Sequence, residues 1–207
     1  MLSFADVNEV KDFVSRNEIE FISFYLSDID GRLRQVTIPA DTFSQKTLEL
    51  GIGFDASNFG FAEVDRSDMI LKPDLDFAFM DPMEEDPPVL CFFCHMLEVD
   101  SKARFTQDLR DLVPKALDVL KGEGIADAAR VGVELEFHVL DQLFSVRNPR
   151  EQSFRVETDE MVSPPDGEEV YRIAPKRGYF RAAPNDHLFA IRNEIVSVYR
   201  SLKLNKK

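Results

Sequence analysis

The segment Val131-Gly132-Val133-Glu134-Leu135-Glu136-Phe137-His138-Val139 alternates strictly between apolar and polar residues. Successive side chains on a β-strand point to opposite faces, so Glu134, Glu136 and His138 share one row and the apolar residues the other. The two carboxylates then stand roughly 6–7 Å apart on one side of the strand. That spacing suits two divalent cations with oxygen ligands, each finding one carboxylate. Like charges this close raise each other's pKa, and a bound cation keeps both ionised. The same alternation equally describes a half-buried strand whose Glu side chains face water. His138 reads either as a neighbour of such a site or as an ordinary surface histidine.

A second segment is Gly53-Phe54-Asp55-Ala56-Ser57-Asn58-Phe59-Gly60-Phe61. Its glycines permit close approach of a ligand or of another backbone. Its single acid and hydrogen-bonding side chains fit a binding loop, and they fit a turn in which Asp55 bonds its own backbone. Cys91 and Cys94 form a C-x-x-C, but inside a run that reads as a buried strand. Residues at that separation face opposite sides of a strand and no second pair completes a zinc site, so both are expected to be structural thiols.

These residues need elements to hold them. Ser3, with Asp6 three residues on, is expected to cap a first helix marked by Phe4, Val7, Val10 and Val14. Residues 19–38 read as a β-hairpin turning at Asp28-Ile29-Asp30-Gly31. A second helix capped by Asp41 or Thr42 should run to Leu50 and stop at Gly51. Short strands are expected at residues 69–71 and 77–80, an exposed acidic loop at 81–86, and a strand at 89–99. Leu109, Leu112, Val113, Ala116, Leu117 and Leu120 form a helical stripe, with Pro114 in a first turn beginning near Asp111. The 131–139 strand follows. Residues 141–180 are turn-rich, with short strands at 154–156 and 170–173. Asp186 can cap a last helix carrying Leu188, Ile191, Ile195, Val198 and Leu202. The order gives an α+β fold: a small mixed sheet with helices on one face, then a second domain from about residue 105.

The chain has 207 residues, enough for one large or two small domains, with 18 Phe and no Trp. The formal charge of −13 argues against a nucleic-acid partner. No apolar run nears the roughly 18 residues of a membrane span. The first residues lack the plan of a signal peptide, so a cytoplasmic protein is expected.

Several motifs resemble those of glutamine synthetases, in the family's order and across most of the chain. Gly51-Ile52-Gly53-Phe54-Asp55-Ala56-Ser57-Asn58 resembles G-x-x-F-D-G-S-S. Arg66-Ser67-Asp68-Met69-Ile70-Leu71-Lys72-Pro73-Asp74 resembles E-S-D-M-x-L-x-P-D. Asp28 to Val36 is similar to D-x-x-G-x-x-R/K-x-V, and Gly132 to Phe137 to G-x-E-x-E-F. Tyr179-Phe180 and Arg192-Asn193-Glu194-Ile195 resemble the family's Y-F and R-x-E-I.

The resemblance implies a β-grasp-like N-terminal domain over residues 1–104. Residues 105–207 would be the first part of a glutamine-synthetase-type catalytic domain. It implies an ATP-dependent ligase that makes glutamine from glutamate and ammonia through γ-glutamyl phosphate. Glu134 and Glu136 would be ligands of Mg²⁺ or Mn²⁺. Asp55 would bind ammonium and take its proton, with Asp68 beside it. Glutamate, ammonium and ATP are the implied small-molecule partners, and a homo-oligomeric ring with active sites between subunits the implied assembly. The chain departs from the pattern at Ala56, Asn58 and Leu109, where the family has Gly, Ser and Pro. The family's H-H-E segment does not occur, so the chain alone is expected to be inactive. Two alternatives keep the same motifs: a γ-glutamyl-amine ligase, and a non-catalytic homologue acting as an interaction module.

Overall fold

The computed structural model describes residues 1–60, 67–158, 161–162, 170–171 and 177–202. One compact unit holds Met1–Arg130 and the chain from Val198; the other holds Val131–Ser197.

The first unit opens with helix α1 (Val7–Arg16). Its cap is Asp6, whose Oδ1 accepts the N–H groups of Asn8 and Glu9 at 2.7 and 3.0 Å. Ser3, the expected cap, instead donates its hydroxyl to Asp76 Oδ1 at 2.7 Å. Strands β1 (Phe21–Ser27) and β2 (Leu33–Pro39) form the expected antiparallel hairpin. Asp41 and Thr42 lie in a single 3₁₀ turn, and helix α2 (Gln45–Leu50) begins after Ser44. Gly51 ends it with φ +72°, and a Cβ there would lie 2.6 Å from Leu71 O, so only glycine fits.

Strands β3 (Ile52–Asp55), β4 (Asp68–Glu85) and β5 (Pro88–Glu98) complete a five-stranded sheet of order β2-β1-β5-β4-β3. The central pair β1 and β5 is parallel, and the other pairs are antiparallel. This is the β-grasp-like mixed sheet that the motifs implied. β4 is one long strand where two short strands and an acidic loop were expected. Its ladder with β5 shifts register between Pro73 and Ala78 and again between Met80 and Glu85. Such irregularities absorb residues that cannot donate to a ladder, which is how Pro82 and the acidic run fit inside one strand.

One face of β5 places Leu90, Phe92, Cys94 and Met96 in the core. Phe92 lies 5.9 Å from Phe4, 6.1 Å from Phe24 and 5.9 Å from Phe43, centroid to centroid. Buried Phe rings of this size supply the area that Trp would otherwise give. Cys91 and Cys94 are unpaired and buried, as expected.

Helix α3 (Leu109–Gly122) is capped by Asp108, two residues earlier than Pro114 suggested, so Pro114 falls inside the helix. Its apolar stripe is uncovered, with Leu112 49% and Val113 70% exposed. In the second unit, β6 (Gln142–Asn148) and β7 (Glu151–Glu157) form a hairpin around Pro149, with Asn148 Oδ1 accepting Arg150 N and Glu151 N. The sequence suggested β7 but not β6. Strands β8 (Met161–Val162) and β9 (Val170–Tyr171) pair antiparallel. The turn expected at residues 164–167 lies outside the described residues. Helix α4 (Phe189–Ser201) follows Asp186, which accepts Leu188 N at 3.2 Å and pairs with Arg192.

Candidate active site

The β3–β4 register sets Asp55 directly opposite Asp68, after Phe54 opposite Met69. Directly opposed residues of an antiparallel pair share a face and have Cβ atoms about 4.5–5.5 Å apart. Both acids are exposed, while Met69 is buried. Two like charges so placed destabilise a ladder unless a cation lies between them. A cleft of about 470 Å³ opens at this spot, lined by Gly53, Phe54, Asp55, Asp68, Met69, Ile70 and Val99.

Asp55 is held in place by its neighbours. Its Oδ1 accepts Ser57 N at 2.9 Å, and the Ser57 and Ser67 hydroxyls also bond it. These bonds, led by the Ser57 hydroxyl, hold its carboxyl below the ordinary value of 3.8, so it stays charged near neutrality. Ala56 N donates to Ser67 O at 2.8 Å and carries the pairing one residue past β3. Ala56 itself has φ −84° and ψ −6° and is fully buried. Glycine's freedom is therefore not needed there, and its methyl fills core space rather than the cleft. Arg66 lies outside the described residues.

Glu134 and Glu136 belong to the second unit, whereas Asp55 and Asp68 belong to the first. The strand expected over residues 131–139 is not formed: the segment has no ladder partner among the described residues. Both rows of side chains are exposed, with Val131 at 80%, Leu135 at 69% and Phe137 at 60%. Alternation supplies one greasy row, but a strand also needs a neighbour for its N–H and C=O groups. Both Glu side chains are accessible hard-oxygen donors, the type that Mg²⁺ and Mn²⁺ prefer.

The sequence did not single out a second cluster at the start of α3. Ligand atoms of His95, Asp108 and Asp111 lie within 4.8 Å of one another. Both oxygens of Asp108 and Oδ1 of Asp111 already accept hydrogen bonds. Asp108 accepts Met96 N and Arg110 N at 2.9 and 3.0 Å. Asp111 Oδ1 accepts Arg104 Nη1 at 2.7 Å, and Asp74 Oδ2 accepts Arg110 Nη2 at 2.9 Å. His95 sits between Asp74 and Asp111 at 3.3 and 3.4 Å. Two guanidiniums supply the positive charge, so the cluster ties α3 to β4 and β5 rather than holding a metal. Only the D-x-R spacing of Asp108 and Arg110 hinted at it.

Fold and site together define a two-part α+β chain with an acidic loop on a β-grasp-like sheet, and comparisons with known proteins agree. Residues 18–99 match the family model described as the glutamine synthetase β-grasp domain, and residues 106–207 that of the glutamine synthetase catalytic domain. The chain is 35% identical to the glutamine synthetase of Aquifex aeolicus over 94% of its own length and 42% of the relative's. It is 33% identical to that of Helicobacter pylori, over 96% of this chain and 42% of the relative. A relative from Cupriavidus pinatubonensis named 3-hydroxylaminophenol mutase is 30% identical, over 95% and 43% respectively. A Plasmodium falciparum glutamine synthetase structure superposes with TM-score 0.78 at 19% identity, over 97% of this chain and 40% of that one. The chain belongs to the glutamine synthetase family. It spans a little over two fifths of the curated relatives it matches.

Proposed function

We propose that this chain is the N-terminal portion of a glutamine-synthetase-like ligase, with a β-grasp domain to residue 104 and the start of the catalytic domain beyond it. The observation that carries the reading is the opposed Asp55–Asp68 pair, in a chain that both domains of the family match. The ligase phosphorylates the γ-carboxylate of glutamate with ATP, and ammonia then displaces phosphate from the acyl carbon.

Asp55 and Asp68 supply the acceptor side. Their paired charges bind ammonium, and Ser57 and Ser67 keep Asp55 ionised. A carboxylate with a lowered pKa is a weak base, so proton removal from ammonium is uphill and is drawn forward by the attack that consumes ammonia. Glu134 and Glu136 hold the divalent cations, Mg²⁺ or Mn²⁺, which when bound neutralise phosphate charge and orient in-line transfer. The ATP and glutamate sites are completed by the part of the relatives that this chain does not span, in a ring whose active sites lie between subunits. Among the described residues no helix is long and apolar enough to cross a membrane, and a cytoplasmic location follows from the ligase reading.

The Ala56 departure gives no ground for a larger amine acceptor, because its methyl lies in the core and does not line the cleft. The test is a chimera that continues residue 207 into the remaining part of the Aquifex aeolicus relative. ATP-dependent glutamine formation is expected, with Asp55→Asn costing on the order of a hundredfold, the scale of losing one acid–base group. Glutamine formation by residues 1–207 alone, or an active chimera indifferent to Asp55→Asn, would overturn the reading.

A further inference from the structure

We propose that Asp28 and Arg34, at the tip of the β1–β2 hairpin, are positioning residues that orient Asp55 through Phe59. The inference deepens the reading of Asp55 as the acceptor-side carboxylate and rests on it for its functional meaning. In the sheet order, β3 lies at the edge opposite β2. The chain leaving Asp55 must therefore cross the end of the sheet to meet the hairpin, and it does so through the 3₁₀ turn Ser57–Phe59.

Contact there is close and several-fold. Ile29 N donates to Phe59 O at 3.3 Å. Gly60, at φ +78°, lies so near Ile29 that a Cβ would sit 2.6 Å from its Cγ2. The Arg34 guanidinium carbon is 5.8 Å from the Phe59 ring centroid. Arg34 is in turn fixed by Asp28, whose Oδ2 accepts its Nε–H at 2.8 Å. Asp28 Oδ1 accepts Asp30 N and Arg32 N at 3.1 and 2.8 Å, so this buried carboxylate has little freedom.

The far side of the relay reaches the site. Phe59 packs against Phe54, the residue before Asp55, at 5.7 Å between ring centroids. Ser57, which aims the Asp55 carboxylate, belongs to the turn that Phe59 closes. A flat guanidinium suits the ring face, and a lysine would keep the charge for Asp28 while losing the planar contact. The hairpin tip thus acts as a buttress at one end of the loop, and the β3–β4 ladder acts at the other.

The test reads the Asp55 carboxyl resonance of residues 1–207 during acid titration. Arg34→Ala and Phe59→Leu are each expected to shift its midpoint upward, toward the ordinary 3.8, as the serine bonds loosen. Phe59→Leu changes no charge, which separates positioning from loss of a nearby cation. The double variant should shift no further than either single, because both act through one relay. Arg34→Lys should fall between wild type and Arg34→Ala. Val10→Ala, in the α1 core, controls for general loosening and should leave the midpoint alone. If Arg34→Ala does not fold, Phe59→Leu and Arg34→Lys give the answer. An unmoved Asp55 midpoint, or an equal shift in Val10→Ala, overturns the inference. Failure of the ligase reading shows separately, as a chimera indifferent to Asp55→Asn.

Discussion

Asp55 and Asp68 face each other across an antiparallel pair, and nothing in an ordinary sheet rewards that. Their neighbours do not neutralise the charge on Asp55 but hold it ionised, which fits a cation-binding role. Asp28 is a different case. Burial works to raise its carboxyl, and Arg34 with the Arg32 and Asp30 N–H groups outweighs that and holds it below the ordinary 3.8. A folded pKa below the unfolded one means stability fully present above the unfolded value and lost as pH falls through the folded one. Urea midpoints of wild type and Asp28→Asn should therefore differ near neutral pH and converge below pH 3.8. The cysteines have no such role. Burial, aided by Asp81, pushes the Cys91 thiol up to about 12, and burial pushes Cys94 higher still. Neither thiol should react with a disulfide reagent in the native protein, and both should react in denaturant.

At the scale of elements, the packed rings of Phe4, Phe24, Phe43 and Phe92 hold the β-grasp-like unit together. Phe92→Ala should cost about 3–5 kcal/mol of unfolding free energy, read from urea melts. Asp111→Ala removes the buried carboxylate that pairs with the exposed Arg104 and should cost about 0.5–1.5 kcal/mol by the same measurement. The hairpin, β5 and the turn after Asp55 were legible in the sequence because alternation and turn residues act over a few positions. β4 was not, because Pro73, Pro82 and four acids between residues 81 and 86 look like a loop when read locally. Only the neighbouring β5, which tolerates two register shifts, makes a strand of it. The 131–139 segment fails in the reverse direction: its pattern is a strand's, but a strand depends on a partner that its own sequence does not encode. The buttress of Asp28 and Arg34 on Phe59 was equally hidden, since it joins residues from opposite edges of one sheet.

The whole molecule carries a formal charge of −13, and its acids fall into distinct settings: the opposed pair Asp55 and Asp68, ion-paired acids at Asp74, Asp108 and Asp111, and the open pair Glu134 and Glu136. Exposed apolar residues line α3 at Leu112, Val113 and Val119 and recur along residues 131–137 at Val131, Val133, Leu135 and Phe137. Both belong to the part that matches the family's catalytic domain. Under the ligase reading proposed above, Glu134 and Glu136 are the divalent-cation ligands of that domain. The direct measurement is Mn²⁺ titration of isotopically labelled residues 1–207, read as paramagnetic broadening of individual resonances. Broadening is expected at Glu134 and Glu136 and should vanish there in the Glu134→Gln plus Glu136→Gln variant. Unbroadened Glu134 and Glu136, or undiminished broadening around residues 131–139 in the double variant, would contradict that assignment.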